Sequence, residues 1–297
     1  MADQRSTPSG SIYDLGYRHY DGVRLGRPHA VWTLFNYSLR AVFGIGRSLM
    51  SKVFPIGLAV IAFAPAVIEV GIAAISPQDF ELVEPVDYFG FVSIVVALFC
   101  AVVAPEMIGR DQRYNTLPLY FSRTLSRADY VTAKTAALGV ALFAVFFLPQ
   151  VLLVLGNAVA ADDLLDSLKD DADQFPPIFA SSVLVAAFMT SMSVAIASQS
   201  PRRALATGAV LAYFVVFTTI GNILVETTSD EARRLSVLLS PGDMLEGAVR
   251  WVFGSSPEPD SAVDRADLAG SAYFFAALAY ISGALAYLYR RYARLNV

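Results

Sequence analysis

Residues 135–159 read TAALGVALFAVFFLPQVLLVLGNAV, an apolar run that carries no charge. A helix needs about 20 such residues to cross ~30 Å of hydrocarbon, and there each peptide group must find its partner within its own segment. The run therefore predicts a membrane-spanning helix. Five more stretches of this kind, at 54–75, 88–104, 177–199, 204–225 and 271–289, bring the expected spans to six. Composition agrees, because 56% of the 297 residues are hydrophobic and only 16% charged, which leaves too little polar surface for one soluble globule. The expected fold is all-α and integral to a membrane.

Orientation follows from Lys and Arg, since acids contribute little to retention. With the N-terminus cytoplasmic, the inner segments hold 17 of the 22 Lys and Arg, and only Lys169, Arg233, Arg234, Arg250 and Arg265 fall outside. Nineteen of the 26 acids fall outside, including the run between Asp162 and Asp173. The chain is thus expected to be a multi-pass protein of the plasma (cytoplasmic) membrane with both termini cytoplasmic. The net charge of −4 is a sum over two unlike surfaces, and it gives no ground for a nucleic-acid partner. Cys100, the single cysteine, falls inside the second span and reads as a small apolar packing residue.

The segments between spans divide the chain further. Residues 1–30 read as a cytoplasmic tail, and no cleavable signal is expected because the first apolar run starts near 54 without a small-residue cleavage pattern. Across 31–53, Trp32, Phe35, Leu39, Val42, Gly46, Leu49 and Val53 recur at three and four, while Asn36, Arg40, Arg47 and Ser51 take another face. That pattern suits an in-plane helix in the cytoplasmic headgroup layer, with anionic membrane lipids as partners of its arginines. Residues 105–134, PEMIGRDQRYNTLPLYFSRTLSRADYVTAK, form a connection far longer than an antiparallel helix pair needs. Its apolar segment 117–121 between polar flanks predicts a short exposed helix. After the fifth span, the excursion at 231–254 is apolar but split by Ser240, Pro241, Gly242 and Asp243, as two short helices broken at Pro-Gly would be. The six-helix domain then runs over 54–290, and 291–297 form a C-terminal tail.

Signals for catalysis are sparse. The chain has no G-x-x-x-x-G-K-[ST] loop and no G-x-S-x-G elbow, and His19 and His29 lack metal-ligand spacing. Asp162, Asp163 and Asp166 form a D-D-x-x-D pattern of the type that holds Mg²⁺ against a diphosphate in membrane prenyl-transfer enzymes. Such enzymes carry two aspartate-rich motifs, and this chain has one, so a solvated acidic loop is the plainer reading. Catalytic residues and bound metal are expected to be absent. Polar groups inside spans need a reason, because burying them in hydrocarbon is costly. Glu69, Gln150 and Asn222 are the candidates for a substrate path, the alternative being pairing between helices or placement at the headgroup level.

The loop after the second span carries a more specific pattern: Arg110, then Thr116-Leu117, the run 119–121, Ser122, Ser126, Arg127 and Lys134. Together with Leu239-Ser240-Pro241 and the six-span layout, it resembles the ABC-2 type transporter permease family over nearly the whole chain. Asn115, Pro118 and Leu125 depart from that pattern. The resemblance implies a transport subunit without an ATPase site of its own, which pairs with a second permease copy or close homologue. It also implies separate ABC ATPase subunits that bind ATP and Mg²⁺, coupled through Arg110, Arg113, Thr116, Leu117, Tyr120, Phe121, Arg123 and Arg127. A non-transporting membrane scaffold is the alternative from another class.

Overall fold

The computed structural model describes residues 22, 25–46, 49–75, 83–122, 124–160, 166–167, 169 and 171–295. Among these every regular element is helical. Six stretches are long and apolar enough to cross a membrane: Ser51–Ala73, Tyr88–Arg113, Arg127–Val159, Asp171–Ala197, Arg203–Thr227 and Gly270–Ala293. Each contains most or all of one apolar run of the sequence, and several extend past it into polar residues.

Helix α1 (Gly26–Val42) precedes the first span and packs along the third. The sequence predicts one helix over 31–53, but the helix stops at Val42. Gly44 and Gly46 follow with φ of 67° and 85°, left-handed values at which a side chain is strained. At Gly44 an added Cβ would also lie 2.5 Å from the Ser51 carbonyl oxygen. Leu49 therefore opens α2 (Leu49–Ile75), the first span, instead of closing α1.

The second span, α3 (Tyr88–Ala104), continues through a π turn (Pro105–Gly109) into α4 (Arg110–Arg113). Only 114–126 is left to connect it to the third span, and α5 (Leu117–Phe121) occupies the middle of that connection. The third span is α6 (Arg127–Ala160). The fourth, α7 (Phe175–Ala197), follows one turn of 3-10 helix (Asp171–Gln174). The fifth is built from α8 (Arg203–Leu211), a second π turn (Ala212–Val216) and α9 (Phe217–Thr227).

Next come α10 (Asp230–Leu239) and α11 (Pro241–Phe253), which meet at an extended Ser240. Proline supplies no N–H at the first turn of α11, the Ser240 hydroxyl accepts from the Asp243 N–H, and left-handed Gly254 ends the helix. The split expected at Pro-Gly is therefore present. A short α12 (Ala262–Arg265) leads to the sixth span, α13 (Gly270–Ala293).

Helix α6 lies at the centre, packed against α1, α2 and α7, while α13 packs on α7 and α11, and α3 lies between α2 and α8. Between membrane helices close packing, not hydrophobic exclusion, drives association. The fourth span is 72% buried over its most apolar window, whereas the first is 17% and the fifth and sixth 22%. Three spans thus present most of their apolar surface outward.

Candidate functional site

At the end of the bundle where α1 lies, here the basic end, the connection after the second span rests on a buried polar hub. Lys134, 3% exposed on α6, places its ammonium 2.9 Å from Asp111 Oδ2 and donates to the Met107 carbonyl at 3.1 Å. Tyr130, one turn earlier on α6, donates its hydroxyl to the same Asp111 oxygen at 2.8 Å. The Asp111 carbonyl in turn accepts from the Thr116 N–H and hydroxyl at 3.0 and 3.2 Å, which fixes the turn into α5. Gln112 donates to the Ser198 carbonyl and to the Tyr292 hydroxyl, both at 3.0 Å, and Arg113 donates to the Pro201 carbonyl at 3.3 Å. Arg127 donates to the Ala293 carbonyl at 2.7 Å. One small region thereby joins the ends of α4, α6 and α13 and the turn between α7 and α8.

Aromatic rings extend this hub. Tyr120 and Phe121 of α5 lie 5.6 and 5.8 Å from the Tyr130 ring, and Tyr292 lies 5.5 Å from it on another side. Burial, with the negative charge of Asp111 next, pushes the Tyr120 hydroxyl up to about 12, so it stays protonated. At the start of α6, Ser126 and Asp129 cap each other's N–H groups, and Arg27 of α1 grips both Asp129 oxygens at 2.8 and 2.9 Å.

The proposed coupling residues therefore differ in exposure. Leu117 is buried, Arg110, Thr116, Tyr120, Phe121 and Arg127 are half-buried, and Arg113 is exposed. Arg123 lies outside the described residues. The large apolar side chains that do stand out are Tyr114 and Leu119, 66% and 68% exposed; Leu119 opens the run 119–121 of the sequence pattern, and neither is among the coupling residues that the resemblance implies.

At the opposite end the three polar span residues have different surroundings. Glu69 is 1% exposed, accepting from the Val83 N–H at 2.9 Å and the Asn157 amide at 3.4 Å. Gln150, 4% exposed, donates to the Phe146 carbonyl and the Ser182 hydroxyl at 3.0 and 3.3 Å, while its side-chain oxygen has no partner. Asn222 is exposed on α9 and faces the Asp243 carboxylate, to which its amide nitrogen, turned inward, donates at 3.1 and 3.2 Å. Burial raises the Asp243 carboxyl to about 6. Close approach makes this juxtaposition possible, since an added Cβ on Gly221 of α9 would lie 2.5 Å from the Ser240 Cβ. Asp162 and Asp163 lie outside the described residues, and Asp166 pairs with Lys169 at 2.7 Å. Among the described residues no group of three or more His, Cys, Asp or Glu is arranged to hold a metal.

The profile of the ABC-2 family transporter proteins matches residues 15–297, almost the full sequence. The chain belongs to the ABC-2 transporter family. No curated protein matches it significantly. As an ABC-2 family member it is a membrane transporter subunit, and permeases of this family work with ABC ATPases. In this ABC-2 permease the hub residues Asp111, Gln112, Tyr130 and Tyr292 escaped the sequence reading, as did Arg250 at the opposite end. The available signal was the single lysine of the connection, Lys134 beside the third span, with Asp111 near the end of the second.

Proposed function

We propose that this chain is the membrane half of an ATP-driven exporter. Two permease copies, identical or closely related, enclose the substrate path, and separate ATPase subunits carrying ATP and Mg²⁺ dock on the basic end. That end faces the cytoplasm, with both termini on the same side of the plasma membrane. The observation that carries the reading is that Arg113, Tyr114 and Leu119 are all exposed within seven residues of the short connection between the second and third spans. An arginine beside aromatic and aliphatic groups on a rigid support is the composition of an interface hot spot. Arg110, Thr116, Leu117, Tyr120, Phe121 and Arg127 then serve as its supports, and Arg123 belongs to the same connection.

The path is assigned to two of the three least buried spans. The first and fifth offer apolar faces that a second copy would cover, and Asn222 beside Asp243 supplies the polar lining on the fifth. Glu69 and Gln150 contribute by shaping the wall, because their hydrogen bonds are largely made within the chain.

Docking is tested by purifying the permease from its native membrane and assaying the ATPase that accompanies it. Tyr114→Ala with Leu119→Ala is expected to weaken retention of the ATPase at least about tenfold, some 1.4 kcal/mol, with the thermal stability of the permease unchanged. Full retention would refute the docking edge.

Orientation has its own test. In a Cys100→Ala background, Ser256→Cys is expected to react with a membrane-impermeant thiol reagent on intact cells, while Thr124→Cys and Ala293→Cys react only after permeabilisation. Labelling of Thr124→Cys from outside would reverse the assignment of the basic end.

A further inference from the structure

The Asp111–Lys134 pair needs an explanation that stability alone does not give. Removing two charges from water is expensive, and a well-packed apolar pair of similar volume often serves a fold as well or better. Here the pair lies at the meeting point of several otherwise separate segments. Asp111 belongs to α4, which continues the second span, and Lys134 and Tyr130 belong to the third. Gln112 and Arg113, the next residues of α4, hold the turn between the fourth and fifth spans through Ser198 and Pro201, and Gln112 also holds the end of the sixth through Tyr292. Apolar helix faces slide past one another with little change in contact area. Directional bonds to a buried charge do not, since a displacement of one ångström breaks them and leaves a bare ion.

We propose that Asp111 and Lys134 are positioning residues for transport: they lock the second, third and sixth spans into one body at the basic end, so that displacement of the Tyr114–Leu119 edge moves all three together. This rests on the reading that the edge docks an ATPase. The aromatic contacts support it, because Tyr120 and Phe121 of α5 bear on Tyr130, whose hydroxyl is itself bonded to Asp111. Force applied to α5 thus arrives at the ion pair through one ring.

The test uses the full permease with its co-purifying ATPase in lipid nanodiscs, with spin labels on Thr124→Cys and Ser256→Cys in the Cys100→Ala background. A non-hydrolysable ATP analogue with Mg²⁺ is expected to shift the distance between the labels in the parent protein. Asp111→Asn with Lys134→Met removes both charges at similar volume. It is expected to keep the ATPase bound and its basal hydrolysis within about twofold, to melt within a few degrees of the parent, and to lose the nucleotide-dependent shift. Lys134→Arg, which keeps the charge but not the geometry, is expected to show a reduced shift. A parent-like shift in the neutral pair overturns the proposal, and so does lowered stability with a parent-like shift in the surviving protein. Should the neutral pair fail to fold, a parent-like shift in Lys134→Arg overturns it equally. Absence of any ATPase from the parent preparation is a different result, which defeats the docking reading itself.

Discussion

Asp111→Leu alone is expected to cost roughly 3–5 kcal/mol of stability, the penalty for stranding one partner of a buried ion pair. Lys134 would keep the Met107 carbonyl but lose its counter-charge, and among the described residues no other carboxylate pairs with it. Tyr130 would lose its acceptor at the same time, and both groups are almost fully buried. The change should appear as a large drop in the melting temperature of the detergent-solubilised permease and in the amount recovered from membranes. Adding Lys134→Met should restore most of the loss, because two apolar side chains then fill the space without a bare charge. A single substitution that melts like the parent would mean that water reaches Lys134 and that the hub is not dry.

Much of this architecture is legible in the sequence because a bilayer imposes one strong constraint. Runs such as 135–159 have only one way to satisfy their backbone in hydrocarbon, so length and polarity alone place the six spans. The break at Ser240 was equally visible, since proline followed by glycine stops one helix and starts the next in a way few other pairs do. What could not be read is where polar groups go. Asp111 and Lys134 looked like two more charges of a topology signal, and nothing in their 23-residue separation says that they meet inside the protein. Tyr120 and Phe121 belong to the coupling set that the resemblance implies, but a sequence pattern does not reveal which face of a five-residue helix turns inward. The apolar periodicity of 31–53 likewise ran across Gly44 and Gly46 without a break, so the end of α1 was hidden behind a pattern that two successive helices happened to share.

Arg250→Met is expected to produce the second large effect, and one that depends on pH. Arg250, 9% exposed on α11, donates to Asp87 Oδ1 at 2.7 Å and to Glu246 Oε1 at 3.3 Å, and its guanidinium lies 3.6 Å from Glu258. It also donates to the Ser256 carbonyl at 3.4 Å, so one side chain ties the start of the second span to the excursion and to the segment that follows it. Removing it leaves three carboxylates facing one another with no cation between them, a loss of roughly 3 kcal/mol at neutral pH. Burial already raises the Glu246 carboxyl above its ordinary value, and the charge of Arg250 is the largest influence holding it down. Without that charge the folded-state value rises further. Between the unfolded and the raised folded value the native protein binds more protons than the unfolded chain, so stability falls as pH rises and returns as pH drops. The gap in melting temperature between Arg250→Met and the parent should therefore narrow from pH 7.5 to pH 5. A gap that stays constant or widens on acidification would mean that the carboxylates find other cations or water, and that Arg250 holds the excursion by packing alone.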